Sequence, residues 1–95
     1  MATIDITRSH ALTKDEAKKR AEEIASGMQA KLALEWRWVG DVIRFDAQAG
    51  AAKGTKGEIS VTDKQVRVQI DLPFLLRVMK GAVEAKVNEK LDALL

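Results

Sequence analysis

The chain predicts an α+β fold, a two-layer sandwich in which an antiparallel sheet of about five strands is covered on one face by two helices. Two observations predict it. Short segments alternate apolar and polar residues with the period of a half-buried strand, and two longer segments carry apolar residues at helical spacing. Clean alternation means one wet face and one buried face, which is the habit of antiparallel sheets. The predicted order is β-α-β-β-β-β-α.

Ile4 and Ile6 alternate with Asp5 and Thr7 in a first short strand. Thr13 and Glu16 then have the spacing of a capping box, with Leu12 and Ala17 placed for a hydrophobic staple. Ala17, Ala21, Ile24, Ala25, Met28 and Leu32 recur as a narrow apolar stripe, while Lys18, Lys19, Glu22 and Glu23 fall outside it. This is a surface helix whose alanines allow close approach to the layer beneath. Leu34, Trp36 and Trp38 alternate with Glu35 and Arg37, and Ile43 and Phe45 with Arg44 and Asp46. With Val39, Gly40 and Asp41 between them, these runs predict a hairpin. Residues 47–56 are rich in Gly and Ala, have no period, and are expected to form a mobile, functionally neutral loop. Ile59 and Val61 mark another strand, Asp63 and Lys64 turn the chain, and Val66, Val68, Ile70 and Leu72 alternate most clearly of all. Residues 73–94 predict one long helix, opened by Pro73, with Leu76, Met79, Val83, Val87, Leu91 and Leu94 in one continuous stripe.

Composition narrows the function. At 95 residues the chain fits a single domain over 1–95. A 46% apolar share beside 32% charged residues is that of a folded soluble chain. The absence of cysteine removes disulfide scaffolds, thiolate metal sites and cysteine nucleophiles, and a single histidine removes multi-histidine metal sites. No cofactor or metal is expected. Net charge is 16 − 14 = +2, too small to argue for nucleic acid. The start of the chain lacks the basic and apolar regions of a secretory signal. The longest apolar run, residues 72–76, falls far short of the roughly 18 residues of a membrane span. A cytoplasmic protein is expected.

Candidate catalytic features are weak. His10 has no nucleophile or orienting partner that spacing singles out, so a structural role bonded to nearby backbone is expected. The stretch from Gly50 through Lys53, Gly54, Thr55, Lys56 and Gly57 resembles a phosphate loop only superficially. Its glycines are too close, Thr55 precedes Lys56, and a strand follows in place of a helix. Trp36 and Trp38 could offer a base-stacking platform, but they share a face with Leu34 and read as core. The wet face carries Asp5, Glu35, Arg37, Arg44, Asp46, Glu58, Arg67 and Asp71, a mixed lattice of weak cross-strand ion pairs.

The start of the last helix is more informative. Phe74, Leu75, Val78, Ala82 and Ala85 form a second apolar flank beside the long stripe, whereas Lys86, Glu89, Lys90 and Asp92 make the same flank wet further on. A local surplus of apolar surface needs a cover. The first helix, a second copy of the chain or an apolar partner surface would each serve. Phe74, Leu75, Val78 and Ala82 are therefore the candidate partner-binding residues.

The run Ile6, Arg8, His10, Leu12, followed by Ala17 in a charged helix and then Leu34, Trp36, Trp38, Gly40 and Asp41, resembles the bacterial family of polyhydroxyalkanoic acid system proteins. Phe45, the strand from Gly57 to Val61, Val66, Val68 and Leu72 extend the likeness nearly end to end, although segment 47–56 is longer than the pattern. The resemblance implies a setting in carbon-storage polyester metabolism and an accessory, granule-associated role; it supplies no catalytic residues. The expected function is that of a non-enzymatic accessory protein binding the granule surface or a granule protein through the apolar helix flank. The alternative is a small-molecule or protein-binding module with a pocket between sheet and helices, unrelated to granules. A homodimer is compatible with either.

Overall fold

The computed structural model describes residues 3–32, 34–48 and 53–94, without the side chains of Lys31, Leu32 and Leu75. Its elements are β1 (Ile4–Ser9), α1 (Lys14–Leu32), β2 (Glu35–Val39), β3 (Val42–Asp46), β4 (Lys56–Val61), β5 (Gln65–Asp71), a 3-10 segment (Phe74–Met79) and α2 (Lys80–Leu94). The five strands form one antiparallel sheet in the order β1-β5-β4-β3-β2. This is the α+β architecture and element order that alternation and helical spacing predict.

The register gathers the apolar positions on one face. Ile6 and Ile59 both sit opposite Val68, Ile43 sits opposite Ile59, and Trp36 and Trp38 sit opposite Phe45 and Ile43. Ile4, Ile43, Phe45, Ile59, Val61, Val66, Val68 and Ile70 are buried there, with Ile6, Trp36 and Trp38 packed against them. A slip of one residue in any strand would turn its whole apolar set to water. Gly57 lies on the same face, opposite Phe45 and Ile70. A Cβ there would stand 2.7 Å from Phe45 Cζ and closer still to the Gln69 carbonyl oxygen, so ring and backbone occupy the space a side chain would need.

The cap of α1 is the Thr13 hydroxyl, which accepts the Glu16 amide at 3.2 Å. Ala17, Ala21, Ile24 and Ala25 are buried, and their small size lets α1 lie close over β2, β3 and β4. The flank of α1 also holds both indoles. Trp38 Nε1 donates to Glu22 Oε1 at 2.6 Å, the Lys18 ammonium lies 4.7 Å from the Trp38 ring centroid, and Trp36 Nε1 donates to Gln29 Oε1 at 3.2 Å. The tryptophans are core-flanking side chains tied to a helix, as their shared face with Leu34 predicts. The β2–β3 turn is tied to the same helix. Gly40 supplies a φ of 64°, and the Asp41 carboxylate pairs with Lys14 and Lys18. Helix α2 covers β1, with Val87 and Leu91 buried beneath it.

Three expectations are corrected. The single helix over 73–94 is broken: residues 74–79 wind as a 3-10 segment and α-helix begins at Lys80. Aromatic Phe74 and β-branched Val78 are weak α-formers, and the 3-10 wind rises about 2.0 Å per residue against 1.5 Å. With three residues per turn, Leu76 packs on the core while Phe74, Arg77 and Val78 are exposed. Met79, expected within the core stripe, is 51% exposed: it stands at the end of the 3-10 segment, where the winding changes to α. Finally, segment 47–56 is anchored at both ends. The Ala47 amide donates to the Thr55 carbonyl at 2.8 Å, the Gly54 amide donates to the Ala47 carbonyl at 3.1 Å, Ala47 and Thr55 are buried, and Lys56 already belongs to β4. The expectation of mobility for residues 49–52 lies outside the described residues.

Candidate functional site

The two helices of the upper layer touch but do not fill the space between them. Between them lies a groove of about 470 Å³, within the size range of small-molecule sites. Helix α1 offers Ile24, Gly27, Met28 and Ala30; across the gap stand Met79, Ala82, Val83 and Val87. Glycine and alanine at 27, 30 and 82 are too small to fill the space that larger side chains would close. The polar members of the lining are Lys86 and Lys90, one helical turn apart. A Cβ on Gly27 would lie 3.5 Å from Lys90 Cε and 3.7 Å from Nζ, so the lysine crosses α1 where α1 has no side chain. Lys86 stands 3.8 Å from Glu89, whereas Lys90 enters no ion pair among the described residues.

One end of the groove opens onto an apolar shoulder. Of the four residues singled out by the sequence, Phe74 is 79% exposed and Val78 is 90% exposed. Ala82 is exposed and lines the groove, joining the two surfaces. The Leu75 side chain lies outside the described residues. Half-exposed Met79 also belongs to both surfaces. Helix α1 therefore does not cover Phe74 or Val78. Sequence reasoning found the shoulder and missed the groove. The available signal was the coincidence of Gly27, Ala30 and Ala82, but it has meaning only once these positions are known to face each other.

The other polar candidates are occupied structurally. Leu12 N–H donates to His10 Nδ1 at 3.1 Å, so the ring proton sits on Nε2, which donates to the Thr62 carbonyl at 2.9 Å. The imidazole thereby clasps the β1–α1 connection to the β4–β5 turn, the structural role expected for it. On the wet face a shallow hollow of about 400 Å³ is lined by Arg37, Arg44, Lys56, Glu58 and Asp71 among others. Its charges are mixed: Arg44 stands 3.9 Å from Glu58, and along the sheet Arg67 grips Asp5 through two hydrogen bonds of 3.0 and 2.7 Å. The Arg67 bonds hold the Asp5 carboxyl below its ordinary range. Lys14 and then Lys18 do the same for Asp41, and Asp41 in turn raises Lys14. Asp5, Arg67 and Asp41 are exposed and Lys14 and Lys18 half-buried, so these pairs are worth little. Among the described residues no three His, Asp or Glu side chains converge on a metal position, and no helix is long and apolar enough to cross a membrane.

The fold and this surface define a small α+β protein built to leave apolar surface open beside a helix pair. Residues 4–95 match the model of the family described as "putative polyhydroxyalkanoic acid system protein", and the chain belongs to that family. The resemblance carried by Trp36, Trp38, Gly40 and Asp41 is thereby borne out. No curated protein and no solved structure matches the chain.

Proposed function

We propose that the protein is a non-enzymatic accessory protein of polyhydroxyalkanoate storage, and that it adsorbs to the polyester surface of the granule through the shoulder formed by Phe74, Val78 and Met79. The observation that carries this reading is the exposure of two large apolar side chains, 79% for Phe74 and 90% for Val78, on a helical shoulder of a family member. Side chains of this kind contribute roughly 1.5–3 kcal/mol each when fully removed from water. An aliphatic polyester offers a broad apolar surface that needs no shaped pocket. Arg77 and Lys80 flank the shoulder and keep it soluble when it is free. The protein acts in the cytoplasm by coating or tethering, and its polar groups serve the fold.

The test is co-sedimentation of the tagged protein with granules from polyester-accumulating cells. Phe74→Glu/Val78→Glu replaces exposed side chains and is expected to stay folded while leaving the granule fraction. Undiminished recovery of the folded double variant with granules sinks the proposal.

A further inference from the structure

We infer that the groove between α1 and α2 is a binding site for one medium-length alkanoate, its acyl chain lying between the helices and its carboxylate meeting Lys90 and Lys86. The inference does not rest on granule adsorption, since it concerns a soluble ligand in the adjoining groove, which shares only Met79 and Ala82 with the shoulder.

The lining selects the chain. Ile24, Met28, Met79, Val83 and Val87 are aliphatic or thioether side chains, and methionine adapts to a flexible tail. The charges select the head group. Two ammonium groups one turn apart stand on a groove otherwise free of polar side chains, and Lys90 has no carboxylate partner among the described residues. An apolar tail with one anionic end satisfies both features, whereas a neutral apolar ligand leaves Lys90 unpaired. A second copy of the chain inserting its own shoulder fits less well. It would bring Arg77 and Lys80, which flank Phe74 and Val78, toward Lys86 and Lys90.

The experiment is titration of the isotope-labelled full chain, followed by amide NMR shifts, with hexanoate, octanoate and decanoate below micelle formation. Decanol and decyltrimethylammonium are the controls. Saturable shifts at Gly27, Val83 and Val87 are expected, with affinity rising about two- to fourfold per added methylene. Lys86→Glu/Lys90→Glu should weaken decanoate about fivefold and leave decanol unchanged. Gly27→Leu fills the groove with a better helix former, so it should abolish binding while raising the melting temperature. This variant keeps the test clear of unfolding.

Three outcomes overturn the inference: no saturable shift, equal affinity for decyltrimethylammonium, or concentration-dependent self-association that protects the groove in place of a ligand. Phe74→Glu/Val78→Glu should bind decanoate normally. Loss of granule recovery and loss of alkanoate binding are thus separable failures.

Discussion

Arg8 of β1 reaches Asp92 of α2, with guanidinium nitrogen and carboxylate oxygen 2.8 Å apart, and its second terminal nitrogen donates to Asn88 Oδ1 at 2.6 Å. Arg8 occupies the apolar side of β1, next in alternation after Ile4 and Ile6 and opposite Val66. The contact therefore crosses from the sheet to the helix layer and sets the rotation of α2. With Asn88 and Asp92 turned to β1 and with Val87 and Leu91 turned to the core, Ala82, Val83, Lys86 and Lys90 are left facing α1.

Replacing Arg8 with alanine should cost about 1 kcal/mol, because these hydrogen bonds are charge-assisted but partly solvated. The loss should appear as a lower urea midpoint. Amide exchange should quicken in α2 and not in α1. Uniform quickening of both helices would mean that Arg8 supports the fold globally and does not orient α2.

Stability should fall in acid through Asp41 and Asp5. Both carboxyls titrate below their ordinary value of 3.8 in the folded chain, held down first by hydrogen bonds from Lys14 and Arg67 respectively. The unfolded chain takes up those protons first as pH drops, so the contribution is complete above about pH 5 and disappears as pH falls through the folded values. Lys14 shifts upward, so its side of the pair persists until pH passes above its ordinary 10.5. Asp41→Asn should therefore be less stable than the parent at neutral pH and converge with it in strong acid. Urea melts of both proteins across that range measure the convergence, and high salt should shrink the neutral-pH gap.

Thr55→Val should stabilise the protein. Thr55 is 1% exposed, and its hydroxyl oxygen has no hydrogen-bond partner among the described residues. Valine has nearly the same shape and removes the unsatisfied group, a gain of about 1 kcal/mol. Thermal unfolding reads the sign directly; a lower melting temperature would reveal a partner for the hydroxyl.

Gly57→Ala should destabilise by about 2–3 kcal/mol, since Gln69 backbone and Phe45 ring both stand where the new methyl must go. Adding Phe45→Leu should recover part of the loss by making room on the ring side. The Gln69 backbone cannot yield in the same way, so recovery should be partial. Full recovery in the double variant would place the whole conflict in the phenyl ring.

Much of this molecule was determined by sequence alone. Alternation of Val66, Val68 and Ile70 with Arg67 and Gln69 sets a strand and its buried face, because a side-chain period of two admits one choice of face. Thr13 and Glu16 mark where α1 begins, and Gly40 marks a hairpin, since these are backbone-local effects. The surplus apolar flank at Phe74, Val78 and Ala82 was legible for the same reason: it is a property of one helical segment. The tertiary structure decided everything that depends on two distant segments meeting. Weak α-propensity at Phe74 and Val78 permits the 3-10 wind of residues 74–79, but which of its side chains meets the core, Leu76 and not Met79, was decided by packing. Arg8 reads as an ordinary surface residue until β1 lies under α2. The groove exists only because Gly27 and Ala30 of one helix happen to face Ala82 and Val83 of the other. Small side chains carry a weak sequence signal, and the space they leave is a relation between elements, fixed by packing and not by pattern.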